Sequence, residues 1–255
     1  MAVVLLHGNP ETPAIWGPLK AALGRDDLYT PQLPGFGTPI RPGFAATKED
    51  YANWLVAELE PIVYEHGPVD FVGHDWGGGI GMRALTLRPH LFRSWACDVL
   101  GLFHPDYVWH DMAQLWQTPE VGEQTVGMMV ALSLDERAAM FGSLGIPDGV
   151  ARELASAVDD TMAACILALY RSAAQPAMKE WGEHLQAAAT TPGLAIIAPD
   201  DPYVQGESFG AEVADRLGAS KHVLAGQGHW WMLGDPAAGA AMLTSFWNEA
   251  YRGAE

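Results

Sequence analysis

One stretch of the sequence decides the fold, and it reads Val69-Asp70-Phe71-Val72-Gly73-His74-Asp75-Trp76-Gly77-Gly78-Gly79. A short apolar run ends in Gly-x-Asp-x-Gly-Gly and passes into a helix-compatible stretch from Ile80 to Leu87. Glycines are expected at such a corner, because a tight turn between a strand and a helix leaves no room for Cβ atoms. The pattern predicts a nucleophile elbow, in which the residue at the tip of the turn points into a cleft.

The residue at the tip of this turn is Asp75, where the usual pattern has a serine. A carboxylate that attacks an ester or amide carbonyl gives an anhydride, which is a poor intermediate. A carboxylate that attacks an sp3 carbon gives an ordinary ester, which water then cleaves. We therefore expect displacement at carbon, with a halide or an epoxide oxygen leaving. The alternative interpretation of the motif alone is a glycine-rich turn with a solvated aspartate.

Composition and charge exclude several classes of partner. The chain has 255 residues, of which 49% are hydrophobic, and a formal charge of −17. This negative charge argues against binding to nucleic acid or to anionic membranes, which need basic patches on the protein. We find no run long enough to span a bilayer and no basic region typical of a signal peptide. Because the two cysteines, Cys97 and Cys165, do not suggest a disulfide framework, we expect a cytoplasmic protein with reduced thiols.

The first part of the chain alternates between predicted strands and helices. Strands are predicted at 2–6, at 27–33, at the elbow and at 93–100; helices are predicted at 19–23, at 47–66 and after the elbow. Thr47 and Asp50 resemble a capping box with the shorter acid at the start of the second helix. Strand, helix and strand in alternation indicate a parallel α/β sheet.

The pattern changes between His104 and Thr190, where helical stretches rich in Trp, Met and Ala follow one another. An all-helical insertion in an alternating chain predicts a lid over the active site. Further strands are predicted at 193–198 and 221–224, and helices near 207–217 and from about Pro236. The predicted domains are therefore the first part of the core at 1–103, a helical cap at 104–190, and the second part of the core at 191–255.

Three residues follow one another in the order nucleophile, acid and base, namely Asp75, Asp201 and His229. Asp201 and His229 each follow a predicted strand, so their loops share one face of the sheet. The segment His7-Gly8-Asn9-Pro10 follows the first strand at that face. We expect its backbone N–H groups, with that of Trp76, to stabilise an oxyanion.

With these motifs the chain resembles the α/β-hydrolase superfamily over almost its whole length, and in particular its Asp-nucleophile branch of epoxide hydrolases and haloalkane dehalogenases. The resemblance is carried by His7-Gly8-Asn9-Pro10, Gly73-His74-Asp75-Trp76-Gly77-Gly78, Asp200-Asp201-Pro202-Tyr203-Val204 and Gly228-His229-Trp230. It implies the α/β-hydrolase fold, a mostly parallel sheet flanked by helices beneath a helical lid. The family usually has two or more strands before the first of these motifs. We therefore expect a truncated N-terminal edge and a sheet of about six strands.

The acid of the triad has a second candidate. Asp98 lies close to where some dehalogenases place their acid, whereas the sequence around Asp201 matches the acid loop more fully. We therefore prefer Asp201.

The mechanism that the resemblance implies has two steps. Asp75 attacks carbon and forms an alkyl-enzyme ester. His229, oriented by Asp201, then takes a proton from water, and the hydroxide attacks the ester carbonyl. No metal or cofactor is needed, and the partners expected are a small apolar organic substrate and water. The oligomeric state stays open.

The leaving group separates the two activities of this branch. A departing epoxide oxygen needs a proton donor, and the segment around Tyr170 resembles the one that carries an epoxide-activating tyrosine. The segment around Trp116 resembles that of a second such tyrosine, but tryptophan is not an acid at accessible pH. A halide needs only N–H donors, and Asn9 after the His-Gly pair is typical of dehalogenases, whereas Trp76 suits both.

Because only Tyr170 supplies a proton, we prefer an epoxide hydrolase, with Asp75, Asp201, His229 and Tyr170 as catalytic residues. The substrate contacts expected are His7, Gly8, Asn9, Trp76 and Trp116. The first alternative is a haloalkane dehalogenase with the same triad, in which Asn9 and Trp76 bind halide. An alternative of another class is a non-catalytic small-molecule receptor on the same fold.

Overall fold

The structure, a computed structural model, describes residues 2–204 and 207–252 and is built on one sheet. Its six strands are all parallel and lie in the order β2-β1-β3-β4-β5-β6. The strands are β1 (Val3–Leu6), β2 (Leu28–Tyr29), β3 (Val69–Gly73), β4 (Phe92–Cys97), β5 (Gly193–Ile197) and β6 (Ser220–Val223). The six-stranded parallel sheet expected from the sequence is confirmed.

The helices of the two core segments surround this sheet. They are α1 (Gly17–Leu23), α2 (Lys48–His66), α3 (Trp76–Leu87), α10 (Glu207–Leu217), α11 (Trp231–Gly234) and α12 (Pro236–Arg252). Helix α1 packs against α12, and α2 packs against α3. The central strands β1, β3 and β5 are buried along their whole length, as expected for parallel strands covered on both faces.

Two local predictions have clear outcomes. The capping box at Thr47 and Asp50 is present, since each side chain bonds the other's backbone N–H at the start of α2. The strand predicted at 27–33 was too long, because β2 ends at Tyr29. Pro31 follows two residues later and has no N–H to give to a neighbouring strand.

The described chain between β4 and β5 contains helices and no strand. These helices are α4 (Asp111–Gln117), α5 (Val121–Ala131), α6 (Leu134–Ser143), α7 (Asp148–Ala157), α8 (Asp160–Ser172) and α9 (Ala177–Glu183). The insertion is therefore helical, and the domain limits 103/104 and 190/191 stay a prediction. No helix within residues 2–204 and 207–252 is both long and apolar enough to cross a membrane.

The corner between β3 and α3 depends on close backbone contact. Asp75 lies at its tip with φ 50° and ψ −125°, a conformation that non-glycine residues rarely adopt. A Cβ on Gly77 would lie 2.1 Å from the carbonyl oxygen of Leu6 at the end of β1. The absence of a side chain at Gly77 thus lets the elbow approach the first strand.

We predict that Gly77→Ala lowers the free energy of unfolding by about 2 kcal/mol or more, because the backbone that the new methyl meets cannot rotate away. Gly127→Ala is the matched control, since Gly127 lies exposed in α5 and its Cβ would meet nothing within 4 Å. That variant is expected to be unchanged or stabilised by up to about 1 kcal/mol. Denaturant unfolding followed by circular dichroism gives both values. Equal effects at the two sites would contradict the steric account.

Candidate active site

The Asp75 carboxylate is held by backbone N–H groups from two segments. The N–H of Asn9 donates to Asp75 Oδ1 at 2.8 Å, and the N–H of Trp76 also donates to this carboxylate. A Cβ on Gly8 would lie 2.3 Å from Asp75 Oδ1, so glycine is required for this approach. The two N–H groups predicted to form an oxyanion hole therefore both contact the carboxylate of Asp75.

Asp75 is enclosed by protein but keeps part of its surface open to a cavity. Burial, together with the charge of Glu11, raises its pKa to about 6, although the positive charges of His229 and His74 act in the opposite direction. The carboxylate is thus mostly ionised, and able to act as a nucleophile, above about pH 6.

His229 and Asp201 form a buried pair on the loops after β6 and β5. His229 Nδ1 donates to Asp201 Oδ2 at 2.8 Å, and Asp201 also accepts the N–H of Tyr203 at 2.8 Å. Burial and the neighbouring His74 lower the pKa of His229, but the hydrogen bond and charge of Asp201 and the charge of Asp75 leave it raised overall. Because Nδ1 is engaged, Nε2 is the nitrogen left to take a proton.

Asp98 has different partners from Asp201. Its carboxylate contacts His74 Nδ1 at 2.5 Å and accepts the N–H of Asp75 at 3.0 Å. In the structure the hydrogen-bond partner of His229 Nδ1 is therefore Asp201 and not Asp98.

A single grouping among the described residues brings three metal-binding side chains together, namely Glu11, His74 and His229, whose ligand atoms lie within 4.8 Å of one another. His74 Nε2 contacts Glu11 at 3.2 Å, and its Nδ1 faces Asp98. Both nitrogens of His74 are thus engaged by carboxylates. We interpret Glu11, His74 and Asp98 as an ion network, and not the grouping with His229 as a ligand set for a metal.

A cavity of about 470 Å³ opens in front of Asp75 and His229. Its walls are mainly apolar and include Met112, Met128, Met129, Met140, Phe141 and Trp230. Arg and Lys are absent from its described lining, so the cavity suits a neutral apolar molecule. A larger and more open groove of about 660 Å³ lies elsewhere, lined by residues such as Gln32 and Glu153, and contains none of the triad.

Tyr170, from α8, closes the cavity beside Asp75. Its hydroxyl accepts a hydrogen bond from Asn9 Nδ2 at 3.3 Å and is also hydrogen-bonded by the side chain of Trp76. Burial and the charge of Asp75 raise the pKa of Tyr170 well above its usual value, so the phenol keeps its proton. Trp116 lies against it, with ring centroids 4.7 Å apart.

The structure brings most of the predicted site residues together. Asp75, His229, Asn9, Tyr170 and Trp116 line the cavity. Gly8 lies against Asp75, Asp201 lies behind His229, and Trp76 contacts Tyr170 edge-on with ring centroids 5.4 Å apart.

His7 is placed differently from the prediction that it contacts substrate. Its side chain is fully buried; Nδ1 donates to the Gly8 carbonyl at 2.9 Å and Nε2 accepts the N–H of Leu33 at 3.1 Å. Burial lowers its pKa to about 4, so the ring is neutral. Both nitrogens are used to hold the loop, which corrects the prediction.

Four residues of the site were not anticipated from the sequence. Glu11 and His74 form the ion network behind the triad, Trp109 stacks on Trp76 at 5.7 Å, and Tyr203 lies 4.8 Å from His229 between ring centroids. The signal for the first two was present, because they directly adjoin the Gly-Asn-Pro loop and the nucleophile position.

An acid at a strand-to-helix elbow, N–H donors after the first strand and an Asp–His pair on two later loops define a hydrolase of the α/β type. The model of the alpha/beta hydrolase family matches residues 3–242, and the chain belongs to that family.

The similar proteins of known name include haloalkane dehalogenases. The one from Psychrobacter cryohalolentis is 29% identical over 45% of this chain and 39% of its own length, and the one from Mesorhizobium japonicum is 30% identical over 49% and 42%. The chain thus matches about two-fifths of the length of these relatives.

Solved structures give the same fold over nearly the whole chain. Haloalkane dehalogenase DbeA from Bradyrhizobium elkani has a TM-score of 0.71 at 23% identity, covering 97% of this chain and 91% of that one. E-2-(acetamidomethylene)succinate hydrolase has a TM-score of 0.70 at 17% identity, covering 97% and 91%. At these identities the likeness establishes the fold alone.

We predict that Asp75→Asn stabilises the protein above pH 7. An acid whose pKa is raised on folding costs stability where it is ionised, and this cost shrinks as the pH falls from about 6 toward the ordinary value of 3.8. Each pKa unit corresponds to about 1.4 kcal/mol, and because Asp75 faces an open cavity we expect a gain of about 1 to 2 kcal/mol at pH 8. Chemical unfolding of both proteins at pH 8 and pH 4 should show the gain shrinking at the lower pH. A gain independent of pH would contradict the assignment of its cause to the charge.

Proposed function

We propose that this protein is a hydrolase that displaces halide from a small haloalkane, with Asp75 as the attacking carboxylate. The Asn9 amide and the Trp76 indole provide the main support, since both belong to segments that hold Asp75. Both donate toward one point, where the Tyr170 hydroxyl lies, while the Asn9 backbone holds Asp75 itself. We infer that the leaving atom of a carbon attacked by Asp75 binds at this end of the site.

The chemistry needs only groups that the site contains. In the first step an oxygen of Asp75 bonds to the carbon as the carbon–halogen bond breaks, and the halide leaves with the bonding electrons. The side-chain N–H groups of Asn9 and Trp76 stabilise the developing anion. The product is a neutral ester between Asp75 and the alkyl group.

His229 acts in the second step. Its free nitrogen takes a proton from water, and the hydroxide attacks the ester carbonyl. The backbone N–H groups of Asn9 and Trp76, which hold the carboxylate in the resting state, are then directed at the carbonyl oxygen that becomes negative. As this intermediate collapses, the bond between the ester carbonyl carbon and the alkyl oxygen breaks, and the proton held by His229 goes to the departing oxygen. The alcohol is released, and Asp75 is restored as a carboxylate once its own proton is lost to water.

The similarity to haloalkane dehalogenases supports this proposal over the epoxide hydrolase preferred from the sequence alone. The apolar cavity, with neither Arg nor Lys in its described lining, supports a neutral substrate.

Epoxide opening is the second candidate, and the Tyr170 hydroxyl favours it. A phenol oxygen has two acceptor sites and one proton. Because Asn9 and Trp76 both donate to this oxygen, its proton is the group left to interact with a substrate. An opening epoxide needs such a proton, whereas a halide accepts hydrogen bonds without becoming protonated.

We predict that the leaving-group variants separate the two activities. With a bromoalkane, Asn9→Ala should slow bromide release at least about tenfold, because a donor to the developing anion is lost. Tyr170→Phe should leave bromide release nearly unchanged or faster, since it frees Asn9 and Trp76 for the halide. Tyr203→Phe is the matched control, because it removes a phenol that lines the same cavity.

The measurement is initial bromide release from a panel of short bromoalkanes, with diol formation from terminal epoxides assayed in parallel. Diol formation by the wild type without bromide release, together with a loss of about 100-fold or more in Tyr170→Phe, would contradict dehalogenation and establish epoxide opening. The absence of turnover across both panels would favour the receptor alternative.

A further inference from the structure

A buried ion network lies directly behind the catalytic residues. It consists of Glu11, His74 and Asp98, whose side chains are 0%, 0% and 4% exposed. His74 Nδ1 contacts Asp98 at 2.5 Å and Nε2 contacts Glu11 at 3.2 Å. Because an ionised carboxylate only accepts hydrogen bonds, both ring nitrogens carry protons and His74 is an imidazolium. The two carboxylates raise the pKa of His74 well above its usual value against the effect of burial.

Glu11 joins the loop after β1 to the loop that carries His229. Its carboxylate accepts the backbone N–H of Gly8 at 2.8 Å and the indole N–H of Trp230 at 2.5 Å. Gly8 lies against the Asp75 carboxylate, and Trp230 directly follows His229. Glu11 therefore contacts both the loop after β1 and the loop that carries His229.

Asp98 makes the equivalent connection from the end of β4. Its carboxylate accepts the backbone N–H of Asp75 at 3.0 Å and the indole N–H of Trp231 at 2.8 Å. The His74 cation lies between the two carboxylates, so it is the common partner of groups that contact the loop after β1, the elbow after β3 and the segment of His229, Trp230 and Trp231.

We propose that His74 is a positioning residue, a buried cation that holds together the elbow, the loop after β1, the end of β4 and the loop that carries His229. Its positive charge also opposes protonation of His229. The ring centroids of His74 and His229 are 4.5 Å apart. The role in catalysis rests on the function proposed above, since His229 must be neutral to accept a proton from water. The charge of His74 and its effect on the pKa of His229 do not depend on that function.

The charges around His229 are unequal in sign. The titratable groups that face it are Asp75, Asp201, Glu11, His74, His110 and Tyr203. Burial lowers the pKa of His110 to about 4, and the pKa of Tyr203 is raised by burial, so both are neutral near pH 7. The three carboxylates favour a protonated His229, and His74 is the cation among these groups that opposes it.

Replacing the charge of His74 gives a distinctive pattern. In His74→Gln the carboxylates keep their charges without the cation, and the titration midpoint of His229 should rise by about one pH unit. In the double variant Glu11→Gln with His74→Gln, one charge of each sign is removed, and the midpoint should return toward that of the wild type. If His74 only filled space, the His229 midpoint would not return toward the wild-type value in the double variant.

The experiment is nitrogen NMR of the full chain labelled with 15N-histidine, recorded between pH 5 and pH 9. His74 and His229 are assigned by loss of their signals in His74→Gln and His229→Gln. His222→Gln, at an exposed position on β6, is the matched control and should change neither signal. The wild-type His74 ring should keep both nitrogens protonated throughout the titration of His229.

A wild-type His74 that loses a proton before His229 does, or an unchanged His229 midpoint in folded His74→Gln, would overturn the proposal. If His74→Gln does not fold, Glu11→Gln replaces it and should lower the His229 midpoint; an unchanged midpoint there would equally overturn it. Since no substrate is used, the absence of bromide release would contradict the proposed function and leave this result intact.

Discussion

The contact on which the site depends is the approach of the loop after β1 to the elbow after β3. It places the Asn9 N–H 2.8 Å from Asp75 Oδ1, and it requires glycine at Gly8 and Gly77 because a Cβ at either position would overlap its neighbour. The adjacent parallel pairing of β1 and β3 brings these two loops together. The strained backbone at Asp75 is maintained by this packing, and the carboxylate is thereby directed at the cavity.

The site separates polar and apolar groups on its two sides. Behind the triad lie the buried charges of Glu11, His74 and Asp98, with each carboxylate accepting backbone and indole N–H groups. In front lies a cavity with mainly apolar walls, formed largely by the helical insertion. A carboxylate between the two is poorly solvated but well oriented, which fits attack on an uncharged carbon.

The sequence predicted what depends on local pattern and chain order. The elbow, the capping box at Thr47 and the parallel sheet each follow from a few neighbouring residues, and the structure contains all three. The pairing of Asp201 with His229 was expected from the order of motifs, and the structure places them 2.8 Å apart.

What the sequence did not reveal depends on contacts between distant segments. The hydrogen bond between Asn9 and Tyr170 joins residues 161 positions apart. The sequence therefore could not show that the amide expected to bind halide contacts the phenol expected to protonate an epoxide. The prediction that His7 contacts substrate was wrong for a related reason, because its hydrogen-bond partner Leu33 lies on another loop. Similarity to dehalogenases now favours the alternative that the sequence placed second.

If Asp75 forms a covalent ester with the substrate, the new oxygen of the alcohol comes from the protein, and a single turnover in heavy-oxygen water detects this. Enzyme in excess over a bromoalkane that it converts is mixed in water enriched in 18O, and the alcohol is analysed by mass spectrometry. Covalent catalysis by Asp75 should give unlabelled alcohol, because the new oxygen comes from Asp75, and the label should be retained in the peptide that contains Asp75. Fully labelled alcohol from the first turnover, with an unlabelled peptide, would contradict the account and indicate direct attack by water.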